Sequence, residues 1–101
     1  MFAVSHTEVG ERDDADFKVR VLLVDDQLII VEAVRRMLAG HPDIEFHSVT
    51  DPLAAQAAAR TVRPTVILQD LVMQGSDGFQ LIQAYKDDET LRAVPVIVLS
   101  A

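Results

Sequence analysis

Apolar residues in this chain gather into short continuous runs separated by stretches of helical spacing. Residues 17–24 alternate at first, with Lys18 and Arg20 between apolar neighbours, then become wholly apolar from Val21 to Val24 and meet Asp25 and Asp26. That pattern predicts a strand entering a core and ending at a pair of acids. Over residues 27–39, Ile30, Val31, Val34, Met37 and Leu38 recur at helical spacing with Glu32, Arg35 and Arg36 on the other side. An amphipathic helix with Met37 in the core follows, stopped by Gly40, His41 and Pro42.

Residues 44–49 make a shorter, more polar run, predicted as a strand near a sheet edge. Asp51 and Pro52 read as an N-cap followed by a proline at the first helical position. The alanine-rich run to Val62 has high helix propensity and side chains small enough to lie close against a sheet. Val66, Ile67 and Leu68, bounded by Pro64 and Gly75, suit a strand buried on both faces that runs through Gln69 into Asp70. Residues 71–78 are expected to be a loop with two glycines, and Asp77 to cap a third helix marked by Phe79, Leu81, Ile82 and Tyr85. Asp87, Asp88 and Glu89 read as its solvated end, and residues 94–99 as a last apolar strand reaching Ser100.

Strands and helices alternate, so right-handed crossovers predict an α/β fold, a doubly wound parallel sheet with strand order 2-1-3-4. Open sheets of this kind hold ligands at the C-terminal ends of their strands. Asp25, Asp26, Asp70 and Ser100 are expected to converge there. Carboxylates sharing one rim repel each other unless a positive charge sits among them. Mg2+, a hard cation that takes oxygen ligands, answers that need and would screen the approach of a phosphoryl donor to Asp70.

Composition narrows the partners. A chain of 101 residues that is 50% hydrophobic has room for one domain with a real core. Its net charge of -7 argues against a nucleic-acid or anionic-membrane surface and favours a cation or a basic partner. With no cysteine, thiolate chemistry and disulfides are excluded. No apolar run approaches the roughly 20 residues of a membrane-spanning helix. Residues 1–16 are polar and acidic, without the basic start and apolar centre of a signal peptide, so a flexible leader on a cytoplasmic protein is expected. His6, His41 and His47 share no metal-ligand spacing.

The run from Val21 to Asp26, Asp70 with Met73, Asp77 and Gly78 behind it, and the run from Pro95 to Ala101 together resemble the receiver (CheY-like) domain of bacterial two-component response regulators. The resemblance implies a flavodoxin-like fold over residues 17–101 and a phosphoryl group accepted on Asp70 from a sensor histidine kinase or phosphotransfer protein. It also implies Mg2+ held by Asp25, Asp26, Asp70 and the backbone carbonyl of Val72, and a Ser100 hydroxyl contacting the phosphoryl group. Leu23 to Gln27 with Leu68 to Met73 looks most like Wsp-type regulators, which implies a diguanylate cyclase as output.

Two departures matter. Gln74 stands where receivers usually carry proline, which is expected to loosen the loop. The family pattern continues with a helix, a fifth strand bearing a lysine and a final helix, so the chain is expected to be truncated, its output domain missing and its fourth strand open to self-association. Other chemistries fit less well. A haloacid dehalogenase-type phosphatase needs an acid two positions after its nucleophile, where Gln27 and Val72 stand. Asp25 and Asp26 would repel the phosphate of a flavin, and no Walker or dinucleotide glycine pattern occurs. A non-switching receiver-like interaction module remains the competing function, and a turnover enzyme is not expected.

Overall fold

The computed structural model describes residues 19–99. The expected leader, residues 1–16, and Ser100 lie outside them. The main strands are β1 (Val19–Val24), β2 (Ile44–Val49), β3 (Val66–Asp70) and, after two short strands β4 (Val72–Met73) and β5 (Ser76–Asp77), β6 (Val96–Leu99). Three helices connect them: α1 (Leu28–Leu38), α2 (Ala55–Val62) and α3 (Gly78–Lys86).

All four main strands pair in parallel in the order β2-β1-β3-β6, so the doubly wound sheet expected from the pattern is the observed flavodoxin-like architecture. Alternation along β1 decides which helix covers which face. Leu22 and Val24 join Ile67 of β3, Ala55 and Ala59 of α2, Tyr85 of α3 and Leu91 in one core layer. Val21 and Leu23 face the other way, with Phe46 of β2 and Val31 of α1. Each fully buried branched side chain contributes about 1.5 to 3 kcal/mol. Ala55 and Ala59 are completely buried, the close approach of α2 to the sheet that small side chains permit.

Local expectations fare unequally. Asp51 Oδ1 accepts the Leu53 N–H at 2.9 Å, but the residues it caps form a short 3-10 turn, Pro52–Ala54, ahead of α2. Asp77 Oδ1 accepts the Phe79 N–H at 2.9 Å and caps α3 as expected. Met37 is not in the core: it is 66% exposed, because the apolar stripe of α1 is wider than the sheet beneath it can cover. The last strand begins at Val96, two residues later than expected, and lies at the sheet edge with Ile97 53% and Val98 44% exposed.

Asp88 is a further correction, buried where a solvated helix end was expected. Burial of Leu91 draws the connection after α3 inward, and the carboxylate meets α2. Asp88 Oδ2 accepts from Gln56 Nε2 at 3.0 Å and from Arg60 Nε at 2.7 Å. Its Oδ1 accepts from the Thr90 N–H at 2.9 Å and the Thr90 hydroxyl at 2.8 Å. The Gln56 and Thr90 hydrogen bonds, with that of Arg60, hold this carboxyl well below the usual carboxylate range. A depressed native pKa stabilises the fold above the ordinary value of 3.8 and loses that contribution as pH falls below it. Asp88→Asn should therefore unfold at a lower temperature than wild type at neutral pH. The gap should close on acidification below about pH 4; a pH-independent gap in thermal melts would contradict the linkage.

Candidate functional site

Strand order reverses at β1 and β3, and the crevice outside the C-terminal ends of adjacent strands at such a point is where open α/β sheets bind ligands. Asp25 follows β1, and its N–H donates to the Val49 carbonyl at 3.2 Å. Its Oδ1 accepts the Gln27 N–H at 2.9 Å, which turns the chain into α1. Asp70 closes β3 and accepts the Val72 N–H on Oδ1 at 3.2 Å. Asp26 accepts the Gln74 N–H on Oδ2 at 3.0 Å.

The structure brings Asp25, Asp26 and Asp70 together: one oxygen from each lies within 4.8 Å of the others. Each carboxylate has one oxygen tied to a backbone N–H, which fixes its rotamer and leaves the second oxygen for a ligand. Carboxylates this close repel one another when all are ionised. Burial, then the charges of Asp70 and Asp26, push the Asp25 carboxyl above its ordinary value, against the Gln27 hydrogen bond. Among the described residues, no ion pair joins a lysine or arginine to any of the three acids. An all-oxygen donor set of three close carboxylates fits a hard divalent cation. Val72 enters the site through its N–H, and Ser100 is outside the described residues.

The loop behind the acids is tighter than its sequence suggests. Val72 pairs with Asp77 and Met73 with Ser76 in an antiparallel hairpin, β4 to β5, turning through Gly75 at a φ of +74°. Gln74 was expected to loosen this loop. Instead its N–H, a donor that proline lacks, ties the hairpin to Asp26. Gly78 opens α3 against the end of β3, its N–H donating to the Leu71 carbonyl at 3.1 Å. A Cβ there would stand 2.5 Å from the Leu71 Cα and closer still to the Asp70 carbonyl oxygen.

Two further residues escaped the sequence reading. Gln69 and Tyr85 are 0% and 1% exposed, and the Tyr85 hydroxyl donates to Gln69 Oε1 at 2.7 Å. Burial pushes the Tyr85 phenol up to about 12, so it stays a donor at neutral pH. The visible signal was a lone amide in an apolar strand and the single tyrosine of the chain.

Comparison with known proteins agrees with this architecture. Response regulator PleD of Caulobacter vibrioides is 38% identical over 86 residues, covering 81% of this chain, while the chain spans only 18% of PleD. The crystal structure of the N-terminal domain of a response regulator receiver protein from Methanoculleus marisnigri JR1 superposes with a TM-score of 0.77 at 26% identity, covering 83% of this chain and 68% of that one. The Mn2+-bound form of response regulator Rcp1 gives a TM-score of 0.72 at 29% identity, covering 81% and 65%. Residues 21–101 match the family model described as the response regulator receiver domain, and the chain belongs to that family.

Proposed function

We propose that Asp70 is a phosphoacceptor, taking a phosphoryl group from the phosphohistidine of a sensor histidine kinase or phosphotransfer protein. The observation that carries this reading is the meeting of Asp25, Asp26 and Asp70 at the switch-point crevice. Mg2+ would be held by Asp25, Asp26, Asp70 and the Val72 carbonyl, where its charge offsets the repulsion between acids and phosphoryl oxygens. The Mn2+ bound by the related Rcp1 supports a divalent ion here.

One carboxylate oxygen of Asp70 would attack the phosphorus while the other stays with the metal. A P–O bond forms as the P–N bond to histidine breaks, and the imidazole nitrogen keeps the bonding pair. The Val72 N–H donates to Asp70 Oδ1 and keeps the acceptor aimed. The Ser100 hydroxyl would contact the transferred group. In hydrolysis, water attacks phosphorus, the P–O bond to Asp70 breaks, and phosphate leaves with the carboxylate restored. The domain is a signalling module, and its phosphorylation would regulate an output domain, a diguanylate cyclase by the Wsp-type resemblance. The exposed Ile97 and Val98 on the outer strand β6 also support self-association along that edge. A sedimentation coefficient independent of concentration would exclude it.

Acetyl phosphate with Mg2+ tests the phosphoacceptor reading. Mass spectrometry should find an acid-stable, base-labile acyl phosphate on Asp70, absent in Asp70→Asn and after chelation of the metal. Undiminished labelling of Asp70→Asn, or a label elsewhere, would sink it. A folded wild-type chain that takes no label would instead be the non-switching interaction module.

A further inference from the structure

Gln69 sits in the middle of the sheet next to Asp70, where the apolar neighbours Ile67 and Leu68 show what a buried strand ordinarily carries. A buried amide is costly unless hydrogen-bonded. Here both ends are used: Oε1 accepts from the Tyr85 hydroxyl at 2.7 Å, and Nε2 donates to the Asp70 carbonyl oxygen at 2.9 Å. That same carbonyl oxygen packs against Gly78, the first residue of α3, while Tyr85 lies near the end of that helix. Helix α3 therefore bears on the Asp70 peptide twice, directly through Gly78 and through the Gln69 side chain.

We propose that Gln69 and Tyr85 are positioning residues for Asp70, fixing the peptide from which its carboxylate projects toward Asp25, Asp26 and the Val72 N–H. Adjacent strand residues point to opposite faces, so Gln69 acts from the core side and touches neither metal nor donor. Rotation of the Asp70 peptide would carry the carboxylate with it and spoil its aim. A small error in aim is enough to slow a transfer that depends on in-line approach. The consequence for phosphotransfer rests on the phosphoacceptor reading; the hold on Asp70 does not.

A merely structural pair is separable from a positioning pair. Replacing both partners of a buried hydrogen bond by apolar groups of similar shape is close to neutral for stability. The double variant Gln69→Leu with Tyr85→Phe orphans neither of those two side chains and deprives only the Asp70 carbonyl of a donor, so it should melt modestly below wild type and stay folded under assay conditions. Its acyl phosphate should nevertheless form about tenfold more slowly from acetyl phosphate and Mg2+, a loss of about 1.4 kcal/mol in barrier terms. In Mg2+-free buffer the Val72 amide, which reports the hold on Asp70 Oδ1, should exchange with solvent about tenfold faster relative to the most protected amides. An unchanged Val72 exchange rate, or wild-type phosphorylation, overturns the proposal. Should the double variant fail to fold, Tyr85→Phe alone, which keeps every core carbon, is read by the same two measurements. Absence of label in the wild-type chain would refute the phosphoacceptor reading, and the exchange measurement would then decide the positioning role by itself.

Discussion

Gly78→Ala is expected to be about 3 kcal/mol less stable than wild type and to lose Mg2+ binding with that stability. The added methyl would meet the Leu71 Cα at 2.5 Å and the Asp70 carbonyl oxygen more closely, and both are backbone atoms that cannot swing aside. Relief requires α3 to back away from β3, which drags on the peptide of Asp70. Alanine is the better helix former by about 1 kcal/mol, but that gain is smaller than the overlap it must offset. Gly40→Ala is the matched control, since nothing lies within 4 Å of a Cβ there. Urea unfolding should leave Gly40→Ala at or slightly above wild type. Equal stability of Gly78→Ala and wild type would mean that the α3 start is not wedged against the acceptor.

Asp25→Asn should change stability and metal affinity in opposite directions. Burial and the neighbouring charges raise the Asp25 pKa in the folded protein above its ordinary value of 3.8. The folded state then holds a proton more tightly than the unfolded state, so metal-free stability falls as pH rises through the interval above 3.8. Neutralising the side chain removes that penalty, while the asparagine oxygen can still accept the Gln27 N–H. In the absence of Mg2+ the variant should melt above wild type at neutral pH, and its stability should lack the wild-type fall over that interval. Its Mg2+ affinity should drop at least about tenfold, the lower end of what even supporting residues of metal sites contribute. Titration calorimetry and melts with and without the metal read both arms. A variant that binds Mg2+ as wild type does would remove Asp25 from the ligand set.

What the sequence made legible was whatever repeats along it. Apolar runs ending in acids located β1 and β3 and the meeting of Asp25, Asp26 and Asp70, because strand period and crossover hand are general constraints. Contacts between distant elements were not legible. Asp88 looks solvated beside Asp87 and Glu89, and only the packing of α2 against its loop supplies Gln56 and Arg60 as partners. The Gln74 hydrogen bond uses a backbone N–H, a donor that nearly every residue carries and whose direction only the folded loop fixes. The hairpin of β4 and β5 escaped because strands of two residues have no period to detect. Met37 misled in the other direction: helical spacing tells which side of α1 is apolar, not how far the sheet extends beneath it.

The central place of β1 in the sheet has a consequence for how the chain is made. During synthesis β1 emerges first, yet one of its edges waits for β2 and the other for Val66 to Gln69 of β3. Its buried residues Leu22, Leu23 and Val24 thus remain without their final surroundings until β3 has also left the ribosome. Pairings so distant in sequence make folding slow relative to a helical bundle of the same size. The apolar run of β1 is consequently left unprotected until β3 has emerged, and a chaperone that binds emerging apolar chain would meet it before β2 and β3.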